Sequence, residues 1–219
     1  MEMEDKAALK KFFSTYPTVR FKKGDTIIRD LDPFTNVYFI KHGHVRLYTV
    51  SDCGKEVSLF IYKAGWHFPT LIGFSNTESR YNFEAMSAVE AYCAPFGEFV
   101  SFLRQSPDLL FDLVVTSGKM MDSYFKRIEL LMTESTKKSL AFMLLQFSEA
   151  FQGNEDKSVS VGWVVPLSHQ QIATWINTSR ETVSRYLEEF KKEGSIDIAN
   201  KKICIRNKGA LLSIVESSA

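Results

Sequence analysis

Residues 166–196, PLSHQQIATWINTSRETVSRYLEEFKKEGSI, carry the start and stop signals of two short helices. Ser168 suits the N-cap of the first helix, because a serine oxygen accepts a backbone N–H that the helix leaves unpaired. Asn177 tolerates the left-handed backbone of a tight turn, and Thr178 or Ser179 is placed to cap the second helix. The segment therefore predicts a helix, a tight turn and a second helix.

The second predicted helix separates an apolar face from a polar one. Apolar residues recur at helical spacing in both helices: Ile172, Ala173 and Ile176, then Val183, Leu187 and Phe190. Another face of the second helix, near its start, carries Arg180, Glu181, Ser184 and Arg185. An arginine guanidinium matches guanine O6 and N7, and a glutamate carboxylate accepts from cytosine N4. The pattern predicts a DNA-reading helix-turn-helix, with an ordinary solvated helix pair as the alternative.

The sequence SRETVSR at residues 179–185 resembles the recognition helix of Crp/Fnr-type transcription regulators, the group of the cyclic-AMP receptor and the fumarate–nitrate regulator. Residues 167–173 and 187–196 fit the same pattern, and the similarity extends over nearly the whole chain. The resemblance implies a transcription regulator that binds double-stranded DNA as a homodimer. It also implies RNA polymerase as a further partner.

The same resemblance implies which residues contact DNA. The expected base contacts are Arg180, Glu181, Ser184 and Arg185. The expected contacts to the DNA backbone are Ser168, His169, Gln170, Ser179, Thr182, Lys201 and Lys202. The implied half-site is similar to TGTGA or to TTGAT. A two-fold dimer requires an inverted repeat whose half-sites are about one helical turn apart.

The charge of the chain does not by itself indicate nucleic-acid binding. The formal net charge is +1 over 219 residues, enough chain for one large or two modest domains. Residues 163–219 hold eight Lys/Arg against six Asp/Glu, a balance of +2, and the preceding residues hold nineteen against twenty, or −1. DNA affinity therefore has to come from where the charges lie.

Cysteine usage and the N-terminus favour a cytoplasmic protein. The three cysteines are an odd number without CxxC spacing, which argues against a disulfide framework and suits a reducing compartment. The N-terminal residues lack the apolar core of a signal peptide, and no window reaches the length of a membrane span. We expect a cytoplasmic protein without a membrane partner.

Upstream of the helix-turn-helix, from Val19 to about Phe96, the hydrophobic pattern has a period of two, which is typical of strands. The β-like runs are Thr26–Ile28, Val37–Ile40, Val45–Val50, Val57–Tyr62 and Ala85–Pro95, separated by glycine-containing turns. Closely spaced short strands predict a small barrel or roll. Their order resembles the β-roll of cyclic-nucleotide-binding sensor domains. The predicted fold class is α+β: a β-roll sensor domain over 1–105, a dimerisation helix and hinge over 106–134, and a winged helix-turn-helix domain over 135–219.

Helices flank the predicted roll, the first over Glu4–Tyr16 and a long one with Ser106 as cap and Pro107 in its first turn. One stripe of the long helix has the alternating four–three spacing of a coiled-coil seam: Leu110, Val114, Ser117, Met121, Tyr124, Ile128 and Leu131. A neighbouring stripe is predicted to cover the roll: Leu109, Leu113, Met120 and Met132. The two stripes favour a dimer helix over a helix that packs on one side only.

The remaining C-terminal elements complete a winged domain. Residues 133–138 are predicted to be a polar hinge, followed by a helix over Ser139–Phe151 and a strand over Val159–Val165. Residues 196–205 predict a hairpin or wing whose two lysines, at 201 and 202, contact phosphate. Residues 210–215 predict a closing helix.

The candidate effector pocket departs from family members that bind cyclic nucleotides. Phe68 and Pro69 occupy the position of the Gly–Glu pair, and they remove close backbone approach and a backbone donor. Arg80 is followed by a tyrosine in place of Ser or Thr, and Tyr124 and Phe125 stand where the family's adenine contacts lie. Tyr124 and Phe125 either line an apolar pocket or fill it. We expect no control by cyclic nucleotide, and the effector is not identified.

Two alternatives rest on histidines. His67 is a candidate ligand for haem in a gas-sensing regulator, and His42 with His44 are candidate metal ligands of a cupin-like enzyme. The plainer interpretation is that all three are turn and surface histidines. No Ser-His-Asp, paired-carboxylate or phosphate-loop arrangement is recognised in the sequence, so we expect neither an enzyme nor a bound cofactor or metal.

Overall fold

The computed structural model of the chain describes residues 3–75, 80–133, 135–151, 163–165, 167–199 and 202–217. The chain divides into two compact units, Met1–Asp122 and Ser123–Ala219. The boundary between them falls within one long helix, α4 (Pro107–Thr133). The division into three segments made from the sequence stays a prediction.

The first unit is built on two antiparallel four-stranded sheets. Its strands are β1 (Thr18–Phe21), β2 (Thr26–Ile28), β3 (Asn36–His42), β4 (His44–Val50), β5 (Glu56–Lys63), β6 (His67–Phe68), β7 (Asn82–Ala85) and β8 (Val89–Pro95). One sheet has the order β1-β8-β3-β6 and the other β2-β7-β4-β5. The predicted β-roll is thus confirmed, and the chain passes repeatedly from one sheet to the other, with β4 and β5 as a hairpin within one of them.

Strand β3 shows how the period-two pattern builds two cores. Val37 and Phe39 pack in one apolar cluster, whereas Tyr38 and Ile40 contribute to the other. Successive side chains of a strand point to opposite faces, so one strand serves both clusters. The interior of the roll receives one set, and three helices cover the other set.

Those helices are α1 (Met3–Phe13), α3 (Phe96–Arg104) and the start of α4. Phe13 of α1 and Phe99 of α3 are fully buried, with ring centroids 5.2 Å apart. Leu109 of α4 is also buried in this cluster, which agrees with the stripe predicted to cover the roll. A short helix, α2 (Thr70–Phe74), follows β6. Helix α3 was not predicted from the sequence.

Two predicted elements of this unit have wrong limits. The first helix ends at Phe13, not at Tyr16, because the hydroxyls of Ser14 and Thr15 donate to carbonyls one turn earlier. The single strand predicted over Ala85–Pro95 is two strands, β7 and β8, which belong to different sheets. The chain crosses between the sheets at residues 86–88, where Ser87 Oγ accepts from the backbone N–H of His44.

The second unit contains the C-terminal part of α4 and a small winged domain. Its other elements are α5 (Thr136–Ala150), β9 (Trp163–Val165), α6 (His169–Trp175), α7 (Arg180–Lys192), β10 (Ile196–Ala199), β11 (Lys202–Ile205) and α8 (Lys208–Glu216). The three strands form one antiparallel sheet in the order β10-β11-β9. Leu140, Leu144 and Phe147 of α5 are buried in its core. The predicted winged helix-turn-helix is confirmed.

The predicted hinge at residues 133–138 is wrong in extent. Helix α5 already begins at Thr136, so the break after Thr133 covers only two residues, and the first of them, Glu134, lies outside the described residues. Ser139 is buried, and its hydroxyl donates to the carbonyl oxygen of Leu130 across the break at 3.3 Å. The two helices are therefore attached directly at this point. Most of the strand predicted over Val159–Val165, at residues 159–162, also lies outside the described part of the chain.

Within the described ranges, no helix is both long and apolar enough to cross a membrane.

Gly43 lies where two backbone segments of the roll approach each other closely. It links β3 to β4 with a φ of 95°, and a Cβ there would collide with the carbonyl oxygen of Ala88. Gly54, in the β4–β5 turn, also has a positive φ of 76°, but nothing lies within 4 Å of the position that a Cβ would take. Alanine variants at Gly43 and Gly54 therefore separate the free-energy cost of backbone strain from the free-energy cost of a steric collision.

We expect Gly43→Ala to destabilise the protein much more than Gly54→Ala. The Gly54 variant should lose about 1–2 kcal/mol from its left-handed backbone alone. The Gly43 variant should lose roughly 1–3 kcal/mol more, because the carbonyl of Ala88 has to move. Urea unfolding of both variants measures the difference. Equal losses would contradict the close approach between the 43 and 88 positions.

Candidate DNA-binding site

A serine side chain caps the N-terminus of each helix in the helix-turn-helix. Ser168 caps α6: its Oγ accepts from the backbone N–H of Gln171 at 3.2 Å, and the Gln171 side chain accepts from the Ser168 N–H at 2.9 Å. Ser179 caps α7 by accepting from the backbone N–H of Thr182 at 3.1 Å. These bonds satisfy donors that the helix starts leave unpaired, so both helices begin at fixed residues.

The turn between the helices has the predicted left-handed residue. Asn177 has a φ of 51°, and the N–H of Thr178 donates to the carbonyl oxygen of Ala173 at 3.1 Å. The apolar faces of the two helices, including Ile172, Val183 and Leu187, are fully buried. The turn and the shared core therefore hold α7 in one position relative to α6.

The residues predicted to contact bases lie together at the start of α7. Arg180, Glu181 and Arg185 are exposed, whereas Ser184 is half-buried. The backbone N–H and the Ser179 side chain lower the pKa of the Glu181 carboxyl, as expected at a helix start. The Arg185 guanidinium lies over the ring of Tyr186 at 4.8 Å from its centroid. This face presents two cations and one carboxylate at the surface.

The described members of the set predicted to contact the DNA backbone lie at the starts of α6 and α7 and in the wing. Ser168, Gln170 and Ser179 are exposed at the two helix starts, while His169 and Thr182 are half-buried. Lys202 begins strand β11 of the wing, and Lys201 lies outside the described residues. Hydroxyls, amides and exposed N-terminal N–H groups of these kinds bind phosphate in protein–DNA complexes.

Arg127 fastens the end of α4 to the helix-turn-helix. Its Nη2 donates to the carbonyl oxygen of Trp175, the last residue of α6, at 2.8 Å, and its guanidinium lies 4.7 Å from the centroid of the Trp175 indole. Phe147 of α5 packs edge-on against the same indole at 4.8 Å. Sequence reasoning missed this contact, because no local pattern pairs an arginine with a tryptophan 48 positions away.

Lys137 makes a second attachment, from α5 to α7. Its ammonium lies 2.9 Å from a carboxylate oxygen of Glu193 and 3.5 Å from one of Glu189, and 5.6 Å from the centroid of the Phe190 ring. The bond to Glu193 raises the pKa of Lys137. The recognition helix is therefore held at its start by α6 and at its end by α5.

The five residues of the candidate effector pocket fall into two groups. Phe68 is fully buried in the roll, stacked 5.3 Å from Tyr38 and 5.2 Å from Phe83. Pro69 is buried and Arg80 is exposed. Tyr124 and Phe125 belong to the second unit, so a pocket that combines them with the roll stays a prediction. The aromatic stacking on Phe68 favours a filled interior over a lined one.

The three histidines differ in their surroundings. His42 is exposed at the end of β3, whereas His44 and His67 are half-buried, so the interpretation as surface histidines is wrong for these two. Burial lowers the pKa of each to about 4. His67 Nδ1 lies 2.6 Å from Thr70 Oγ1, and its ring is 5.4 Å from that of Phe99. Among the described residues, no group of three or more His, Cys, Asp or Glu is placed to hold a metal ion.

The seam predicted along α4 is exposed in the single chain. Its five large apolar residues, at positions 110, 114, 121, 128 and 131, are between 39% and 61% exposed. Ser117 and Tyr124, the other two seam positions, are half-buried. Met132, assigned to the stripe that covers the roll, is 80% exposed. The apolar cluster that covers the roll includes Leu109 and Leu113 of this helix. Met132 belongs to the second unit, so its assignment to that stripe stays a prediction.

Two family models match this chain. The model of the cyclic nucleotide-binding domain matches residues 18–106, and that of the Crp-like helix-turn-helix domain matches residues 139–214. The chain is 29% identical over 194 residues to a global nitrogen regulator of Synechocystis, covering 87% of this chain and 85% of that protein. It is 28% identical over 206 residues to the transcriptional regulator SdrP of Thermus thermophilus, covering 91% and 95%.

A solved structure of a similar protein agrees with these sequence matches. A crystal structure of a CRP/FNR-family transcriptional regulator from Thermus thermophilus matches with a TM-score of 0.69 and 27% identity, over 92% of this chain and 99% of that one. A β-roll, a long helix and a winged helix-turn-helix define a DNA-binding transcription regulator with a sensor-type domain. The chain belongs to the Crp/Fnr family, as the sequence around the recognition helix predicted.

Proposed function

We propose that this regulator acts in the cytoplasm as a homodimer that binds an inverted-repeat DNA site and contacts RNA polymerase there. The observation that carries the proposal is the polar face at the start of α7, where Arg180, Glu181 and Arg185 are exposed on a helix fixed at both ends. The major groove admits a helix of this kind, with its N-terminal residues toward the base edges. The proposed activity is DNA binding without catalysis.

The contacts are assigned by chemistry. Arg180 and Arg185 offer guanidinium forks for guanine, Glu181 offers an acceptor for cytosine N4, and Ser184 adds a weaker contact. The residues proposed to bind phosphates are Ser168, Gln170, Ser179, Thr182 and the wing lysines Lys201 and Lys202. The half-site proposed from the family pattern contains G·C pairs and is similar to TGTGA or TTGAT.

Replacing Arg185 with alanine should reduce specific binding more than general binding. We expect Arg185→Ala to cost roughly 1–3 kcal/mol on the preferred site, and little on random DNA. Lys191→Ala is the matched control, because Lys191 is an exposed cation in the last turn of the same helix. Fluorescence anisotropy on both DNAs measures the ratio. Equal losses on both would show that Arg185 contacts only phosphate.

The exposed seam of α4 is proposed to pack against the same helix of a second copy. The seam residues are Leu110, Val114, Ser117, Met121, Tyr124, Ile128 and Leu131. Their spacing fits knobs-into-holes packing, and a contiguous exposed apolar stripe of this kind marks an interaction surface. A parallel pair of such helices gives the two-fold symmetry that an inverted repeat requires.

An aspartate in the seam should separate the dimer. Ile128→Asp would bury an unpaired charge twice, once from each subunit, so we expect a monomer or aggregate and loss of tight operator binding. Lys119→Asp places the same residue at an exposed position outside the seam and should leave the dimer intact. Sedimentation velocity distinguishes the two. A dimeric Ile128→Asp with normal operator affinity would remove α4 as the interface.

Arg127 supports a route by which the seam influences DNA binding. It lies on α4 between the seam positions Tyr124 and Ile128, and it holds the last residue of α6. A change in how two α4 helices pack would move this attachment point and hence the recognition helices. We propose that the signal that starts such a change is not a cyclic nucleotide.

The aromatic packing around Phe68 supports that part of the proposal. A cyclic phosphate carries a charge that has to be paired and hydrogen-bonded when it is buried. Phe68 occupies the core with its ring, and Pro69 offers no N–H. Exposed Arg80 offers a charge but not the rest of a phosphate cradle. A ligand that controls the protein through the candidate pocket would therefore differ chemically from a cyclic nucleotide. The residues of that pocket are Phe68, Pro69, Arg80, Tyr124 and Phe125.

We expect cyclic AMP and cyclic GMP to leave operator affinity unchanged at millimolar concentration. Two or three missing hydrogen bonds to a charged group, at about 1.5–3 kcal/mol each, weaken binding by several orders of magnitude. Isothermal titration calorimetry of each nucleotide into the protein tests this directly. A micromolar isotherm with one site per subunit would overturn the assignment. AMP serves as the control for non-specific nucleotide binding.

A further inference from the structure

His169 and Ser184 connect the two helices of the helix-turn-helix through a short hydrogen bond. His169 is the first residue of α6, and its Nδ1 lies 2.7 Å from Oγ of Ser184 in α7. The same Oγ lies 2.9 Å from the carbonyl oxygen of Arg180, one turn earlier in α7. Ser184 therefore has two protein partners before any DNA is bound.

The two contacts fix where the protons lie. A serine hydroxyl has one proton and two lone pairs, and a carbonyl oxygen only accepts. The Ser184 proton therefore goes to the Arg180 carbonyl, and the contact to His169 requires a proton on Nδ1 that is donated to Ser184. The hydrogen-bond network thus assigns Nδ1–H to the histidine ring.

The charge state of the ring agrees with this assignment. Burial lowers the pKa of His169, Arg180 nearby lowers it further, and Glu188 acts in the opposite direction. A histidine with a lowered pKa is neutral near pH 7, so it holds a single proton and the tautomer matters. With that proton on Nδ1, the ring donates to Ser184.

One lone pair then remains on Ser184 Oγ for a base. Serine on an exposed helix ordinarily donates or accepts according to its partner, and so discriminates little between bases. Here the proton and one lone pair are already occupied, so only acceptance is left. In the major groove the donors are the amino groups of adenine N6 and cytosine N4, whereas guanine O6 and N7 and thymine O4 only accept.

We propose that His169 is a positioning residue that fixes Ser184 as an acceptor and thereby makes it select an amino group, adenine N6 or cytosine N4, at one position of the half-site. The proposal rests on the proposed DNA reading by α7 and goes beyond it in naming the chemistry of one contact. It also replaces the expectation that His169 acts through the DNA backbone. Nδ1 is engaged within the protein, and the role of the ring is to orient Ser184.

The tautomer is measurable without DNA. Long-range ¹H–¹⁵N correlation spectra of the imidazoles distinguish Nδ1–H from Nε2–H, because the protonated and bare nitrogens resonate far apart. The chain has four histidines, so the His169 signals are assigned by their absence in His169→Phe. We expect the Nδ1–H form at pH 7.5. The Nε2–H form would overturn the proposal whatever the DNA results show.

The base preference is measured by competition binding to half-sites that carry each base in turn at every position. We expect the wild type to prefer the amino-bearing base at one position by about three- to tenfold, the range of one neutral hydrogen bond. His169→Phe keeps a ring but removes the donor, and should reduce this preference to within about twofold while preserving the others. His169→Asn keeps an N–H donor near the Nδ1 position and should retain the preference.

A double-mutant cycle links the two residues. Ser184→Ala should abolish the same preference, and adding His169→Phe to it should change nothing further, because the histidine acts only through Ser184. The preference that depends on Arg185 should survive in all these variants, which shows that the helix-turn-helix remains folded. Thermal unfolding of each variant provides an independent check of the fold.

Other outcomes overturn the inference in recognisable ways. A uniform loss on every half-site and on random DNA in His169→Phe, with a weaker salt dependence, would make His169 a phosphate contact. Unchanged base preferences in Ser184→Ala would show that Ser184 reads no base. If the wild type prefers no base at any position, the proposed base recognition by α7 is itself overturned. The NMR spectrum tests the His169 tautomer separately, so this outcome is distinguishable from a wrong assignment of the Nδ1 proton.

Discussion

The left-handed backbone of Asn177, with a φ of 51°, determines how α6 and α7 are placed relative to each other, and the geometry of the DNA-binding face depends on that placement. It reverses the chain between α6 and α7 so that both bury apolar faces in one core, and that packing brings His169 at one helix start beside Ser184 in the next helix. The caps on Ser168 and Ser179 then fix where each helix begins. Base reading depends on positions defined to a fraction of an ångström, and three local interactions supply them.

The helix-turn-helix was predictable because its signals are local. Serine caps, a turn residue and a 3.6-residue period all lie within a few positions of the elements that they define. The boundary between β7 and β8 was missed because residues 86–88 contain neither glycine nor proline, and the close approach of Ala88 to Gly43 is a contact between distant positions. Helix α3 was missed for a similar reason, since its N-cap residue, Pro95, makes no side-chain cap.

Contacts between distant positions were not predictable at all. Arg46 is buried in the middle of β4, with Nη2 2.8 Å from Glu56 and 3.0 Å from Glu84, and its guanidinium lies 4.2 Å from the centroid of the Tyr48 ring. In the sequence it is simply a charged residue within a strand. Two carboxylates from neighbouring strands offset the cost of burying its charge, and no local pattern shows that they converge. The same holds for Arg127 and its tryptophan.

Trp175 gives the chain an optical property of its own. Its indole is 7% exposed, lies against the Arg127 guanidinium on one side and meets the Phe147 ring edge-on, and its Nε1–H has no hydrogen-bond partner within the described residues. A stacked cation shifts the energy of an indole excited state, and the shift depends on distance. Because Arg127 lies on α4 and Trp175 ends α6, we expect the emission of Trp175 to respond to a change in the separation of these two helices. The joint proposed to transmit a signal would then carry its own fluorophore.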